Sequence, residues 1–156
     1  MGSFFGSVQV RSGDRAGVIQ AAEKVAHEQR QTCLVGPPLN GWIGIYPEQG
    51  GQDASFAQAI ANLVAEDVLH LAVHDDDITA YWWWRQGKLL DSYWSAPGYF
   101  GEELRESEEA HVGQPELLAQ LAKGKAEELR QILARDRPKI LEGKRLRALS
   151  SVLGIR

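Results

Sequence analysis

The sequence predicts an α+β fold: a ferredoxin-like βαββαβ two-layer sandwich, extended by an antiparallel β-hairpin and followed by a C-terminal helical segment packed on the sheet. Three observations carry that expectation. Toward the N-terminus, short strand-like stretches alternate with two stretches whose apolar residues recur every three or four positions. Residues 68–95 are rich in apolar, β-branched and aromatic side chains, broken at two turn-like dipeptides, Asp75-Asp76 and Gln86-Gly87. Beyond residue 96 the pattern becomes charged and helical.

Taken in order, residues 3–11 read as a strand, with Phe4, Val8 and Val10 on one face and Ser7, Gln9 and Arg11 on the other. A helix follows. Ser12 or Asp14 can accept a bond from its first turn, and Val18, Ala21, Ala22 and Val25 line one side of it. Residues 31–36 and 41–46 predict a hairpin around Pro37-Pro38-Leu39-Asn40, because proline ends a ladder and Asn-Gly lets the chain reverse. After Gly50-Gly51, Asp53 or Ser55 can start a second helix with Phe56, Ile60, Leu63 and Val64 facing inward.

Three antiparallel strands fill residues 68–95, the last two forming an extra hairpin beside the fourth strand. A Pro-Gly-Tyr-Phe-Gly turn at 97–101 and an acidic stretch at 102–109 lead to helices near 115–122, 126–134 and 143–153. The expected organisation is an α/β core over 1–95 and a helical extension of the same domain over 96–156.

Composition narrows the function classes. The chain has 156 residues, 44% hydrophobic and 24% charged, which excludes a wholly disordered chain. Cys33 is the single cysteine, so neither an internal disulfide nor a cysteine-rich zinc site is possible. The longest run without a formal charge, 31–47, contains Gly36-Pro37-Pro38 and cannot form a spanning helix. With no membrane span and no secretory signal pattern, a cytoplasmic location is expected.

The charge is also polarised. The whole chain carries a formal −4, yet Lys144, Arg145 and Arg147 crowd the last predicted helix beside Leu146, Leu149, Val152 and Leu153. Such a helix suits an anionic surface or an acidic partner, or docks on the sheet with a solvated rim, and docking is the expected outcome.

Counting outward from two-residue turns at 75–76 and 86–87 assigns the strand faces. One face collects Leu69, Leu71, Val73, Ile78, Ala80, Trp82, Trp84, Leu89 and Tyr93, with Asp91 a misfit opposite Trp82. The other collects His70, Ala72, His74, Asp77, Thr79, Tyr81, Trp83, Arg85, Lys88, Leu90, Ser92 and Trp94. On a two-layer fold this second, half-aromatic face needs a cover, from the chain's own tail or from a partner.

Catalytic and metal motifs are incomplete. His70 and His74 stand about 13 Å apart along a strand at roughly 3.3 Å per residue, too far to share an ion. His27-Glu28 lacks the second histidine of a zinc-protease helix, Gly36-Pro37-Pro38 lacks the amide donors of a phosphate loop, and no G-x-S-x-G elbow occurs. No cofactor or metal is expected, and nucleic acid is disfavoured because residues 68–95 offer Arg85 and Lys88 against four aspartates.

The leading functional expectation is a non-enzymatic protein-interaction or regulatory module. Its contact surface is Tyr81, Trp83, Trp94, His70 and Arg85, with Leu39 and Trp42 of the proline turn as a second contact, since Trp, Tyr and Arg often dominate interface energy. The expected partner is another protein or a second copy. One alternative is a small enzyme using His70 and His74 as acid–base groups. Another is a ligand sensor with its pocket between the sheet and the C-terminal helices.

Overall fold

In the computed structural model, residues 4–49, 51–96, 111–135 and 142–155 are described. The predicted turn at 97–101 and the acidic stretch 102–109 lie outside them. Six strands form one antiparallel sheet: β1 (Phe5–Arg11), β2 (Cys33–Val35), β3 (Trp42–Pro47), β4 (Asp67–His74), β5 (Ile78–Arg85) and β6 (Lys88–Trp94). Their order across the sheet is β2-β3-β1-β4-β5-β6. Among the described residues five α-helices accompany them, α1 (Arg15–Glu28), α2 (Ser55–Leu63), α3 (Pro115–Leu118), α4 (Ala126–Leu133) and α5 (Glu142–Leu153), with a 3-10 turn after α3.

The two helices α1 and α2 pack on one face of the sheet. Asp14 starts α1 by accepting from the Gly17 amide at 3.0 Å, and Val18, Ala21, Ala22 and Val25 meet Val8, Val10, Ile43 and Ile45. In α2 the buried face is Phe56, Ala57, Ile60 and Ala61, whereas Leu63, expected inside, is 43% exposed. Leu63 falls at the margin of that face in the last turn, and the two alanines let the helix sit close to the sheet.

Helices α3 to α5 cover the opposite face. Leu118, Leu121, Leu129, Leu133, Leu149 and Leu153 enclose Leu69, Leu71, Tyr81, Trp83 and Tyr93 in a second core. Helical spacing explains the docking of α5, because Glu142, Arg145, Leu149 and Leu153 recur at three- and four-residue steps and are all buried.

The strand register corrects the expected faces in two places. Asp75 and Asp76 both take left-handed φ, 54° and 57°, and the loop has three residues, so that His74 pairs with Ile78. Every β4 side chain therefore joins the β5 set opposite to the one expected. The β5–β6 turn has two residues as expected, pairing Arg85 with Lys88, but a bulge at Leu90 then sets Asp91 opposite Trp83 and Tyr93 opposite Tyr81. Asp91 and Tyr93 thus share the α3–α5 face with Tyr81 and Trp83.

Candidate functional site

The five residues expected on one sheet surface, Tyr81, Trp83, Trp94, His70 and Arg85, divide between its two faces. Tyr81 and Trp83 are fully buried beneath the C-terminal helices. Trp83 Nε1 donates to Asp67 Oδ1 at 2.9 Å, and exposed Arg85 bonds the same oxygen at 2.8 Å. His70 and Trp94 lie on the other face because of the two register shifts. Trp42 is buried on the α5 side, its Nε1 donating to the Leu153 carbonyl at 3.0 Å, and among these turn residues Leu39 remains exposed.

His70 is enclosed as well. Its Nε2 donates to the Gly51 carbonyl, and its ring stacks on Trp82 with centroids 5.2 Å apart. Gly51 must be glycine there: φ is 58°, and a Cβ would lie 2.9 Å from the Gly6 carbonyl oxygen. Burial lowers the His70 imidazole below its ordinary value, against the raising effects of the Gly51 carbonyl and Asp53. The neutral ring is the form this site holds.

Around His70 the α1–α2 face continues as an aromatic strip. Trp82 meets Trp94 edge-on at 6.4 Å, and Trp94 stacks on His111 at 4.5 Å. A hollow of about 90 Å³ lies between Gln52, Ala72, His74, Ile78, Ala80, Trp82 and Trp94. That volume suits little more than a single ring.

The large concavity is on the other side of the sheet. A cleft of about 820 Å³ separates α5 from the near ends of β1 and β4 and from the β2–β3 turn, a volume in the range of small-molecule sites. Phe5, Val73, Leu146 and Ile155 give it apolar wall, and Asn40, Asp76, Lys144, Arg147, Ser150 and Ser151 give it polar groups.

Local sequence sets each wall. Phe5 opens β1 and pairs with Val73 of β4, which puts both at one end of the cleft. The face of α5 that does not dock carries Lys144, Arg147 and Ser151, spaced three and four residues apart. Gly154, with φ 76°, ends the helix in a Schellman turn. Its amide donates to Ser151 O at 3.2 Å and the Ile155 amide to Ser150 O at 2.8 Å, which turns Ile155 back inside.

Both ends of α5 are tied to the sheet, so the cleft is held open by bonded structure. At the start, Thr79 Oγ1 donates to the Glu142 carbonyl at 3.0 Å and the Glu142 amide to Asp76 O at 3.3 Å. At the finish, Asn40 Nδ2 donates to Gly154 O at 3.0 Å beside the Trp42–Leu153 bond. Between them, buried Arg145 pairs with Glu142 at 2.9 Å and donates to Tyr93 Oη at 2.6 Å and to the Ile132 and Ala134 carbonyls. These bonds compensate much of the cost of burying the two charges.

Lys144 and Arg147 contrast with Arg145. Both are exposed at the cleft, and among the described residues neither has a hydrogen-bond or ion-pair partner. Like charges at this helical spacing repel by about 0.2–0.5 kcal/mol. No group of three or more His, Cys, Asp or Glu suited to a metal ion occurs among the described residues, and no described helix is long and apolar enough to cross a membrane.

The basic rim of α5 was visible in its sequence; of the cleft, the sequence offered a place between the sheet and the C-terminal helices but not the residues that line it. Its walls come from positions 5, 40, 73, 76 and 143–155, and no local pattern links them. Compared with known proteins, the chain matches no family model, no curated protein and no solved structure.

Proposed function

We propose that the protein is a non-catalytic binding module that takes a small ligand in the cleft between α5 and the sheet. The observation that carries this reading is a concavity of about 820 Å³ whose bounding helix is hydrogen-bonded to the sheet at both ends. A preformed site loses little entropy when a ligand enters, so its contacts translate into affinity. Tyr81, Trp83 and Tyr93 then serve as the rigid floor beneath α3 to α5 and do not act as the contact surface.

The same reading includes a ferredoxin-like core for residues up to the end of β4. Its support is the alternation β1-α1-β2-β3-α2-β4, with β1 between β3 and β4 and both helices on one face. That scaffold leaves the second face of the sheet available, and the C-terminal helices occupy it while leaving the cleft at its margin.

The test uses anilinonaphthalene sulfonate, an anionic apolar dye. Its fluorescence is expected to rise on mixing with the folded chain and to be largely lost with Ser151→Trp, which fills the cleft from an exposed helical position. Equal brightening with both proteins would place the dye elsewhere and refute the reading.

A further inference from the structure

We infer that the cleft takes a small organic anion with an aliphatic body, its carboxylate held by Lys144 and Arg147; the inference rests on the cleft being the ligand site. The charge argument is local. Arg145, between these two residues in sequence, is buried and paired with Glu142, whereas Lys144 and Arg147 turn to the cleft and have no partner among the described residues. Among the described residues Asp76 is the one acid on the wall, so the described lining carries a net positive charge within a chain of formal charge −4.

Guanidinium and ammonium differ in how they hold an anion. Arg147 offers a planar fork that matches a carboxylate, and Lys144 adds a mobile point charge one turn away.

The body of the ligand follows from the remaining wall. Val73, Leu146 and Ile155 are aliphatic, and among the described residues Phe5 is the one aromatic ring lining the cleft. A stacked planar ligand has no pair of rings to lie between, whereas a hydrocarbon body gains from each methylene it removes from water, about fourfold in affinity. Ser150, Ser151 and Asn40 add hydroxyl and amide groups for a polar substituent on that body.

The experiment is calorimetric titration of the full chain with decanoate and with decanol, repeated for Lys144→Gln/Arg147→Gln and for Ser151→Trp. Wild type is expected to bind decanoate at least about tenfold more tightly than decanol, as a charge-assisted bond implies. The double substitution, at two exposed positions, should abolish that preference, the loss falling mainly on decanoate, and Ser151→Trp should weaken both probes. Octanoate should bind about fifteenfold more weakly than decanoate, for two methylenes.

Equal affinity for decanoate and decanol, or a preference that survives in the double variant, overturns the anion assignment and leaves the cleft reading intact. No binding of either probe, with the dye still excluded by Ser151→Trp, overturns the aliphatic body alone. Binding of both probes undiminished by Ser151→Trp overturns the cleft reading itself.

Discussion

The Tyr81 hydroxyl donates to Asp91 Oδ2 at 2.6 Å, joining β5 to β6 inside the core under the C-terminal helices. Asp91 also accepts from the Ser92 and Gln114 amides, at 2.9 and 3.0 Å, so one carboxylate ties the two strands to the start of α3. Burial first, and then the neighbouring Asp91 charge, push the Tyr81 phenol well above its ordinary value, keeping it protonated as the donor.

Tyr81→Phe removes the donor and leaves the carboxylate with two amide partners. A loss of about 1.5–3 kcal/mol is expected, the size of a hydrogen bond to a charged group. Asp91→Ala should cost more, because it strands the Tyr81 hydroxyl and the Gln114 amide together. Urea unfolding of the two variants gives the order, and Tyr81→Phe as the worse variant would contradict this assignment.

The bulge at Leu90 is what brings that pair together. Deleting Leu90 removes the surplus residue and keeps Asp91 opposite Trp83 and Tyr93 opposite Tyr81 in a regular ladder, so cooperative unfolding and near-ultraviolet dichroism should survive. Leu90→Ala, which keeps the residue count, should lose no more than about 2 kcal/mol as a half-buried leucine at the edge of the core. A deletion variant that no longer folds would show that Leu90 is not the surplus residue.

Much of the fold was legible because its signals are local. The Val18-Ala21-Ala22-Val25 stripe and the Gln86-Gly87 reversal needed neighbours only a few positions away. The face assignment was less secure because Asp75-Asp76-Asp77 permits loops of two or three residues, and aspartate tolerates left-handed φ in either. Leu90 gives no warning of a bulge, since its extra position is absorbed without glycine. One slip at each place was enough to separate His70 and Trp94 from Tyr81 and Trp83.

Acid should weaken the protein through His70. Its folded value lies below the ordinary 6.5, so between the two values the unfolded chain binds the additional proton and stability rises with pH. The contribution is full above about pH 6.5 and is lost as pH falls through that value toward the folded one. His111, lowered by burial and by Arg135, acts with the same sign. Urea midpoints across this range should fall in wild type and fall less in His70→Gln; a midpoint that rises on acidification would contradict the buried neutral imidazole.

The Glu142–Arg145 pair should behave as a unit. Arg145→Met alone strands a buried carboxylate and should cost about 3–5 kcal/mol, whereas Glu142→Leu/Arg145→Met should recover most of that loss. A double variant no more stable than the single one, in a double-mutant cycle read by denaturation, would mean that the bonds of Arg145 to Tyr93, Ile132 and Ala134 outweigh the ion pair.

The most direct test of the α5 cleft is amide chemical-shift mapping while decanoate is added to the full chain. The amides of Phe5, Asn40, Val73 and residues 143–155 should shift along one binding curve, and those of His74, Trp82 and Trp94 should stay in place. Shifts centred on the aromatic strip, with the α5 amides unmoved, would contradict it.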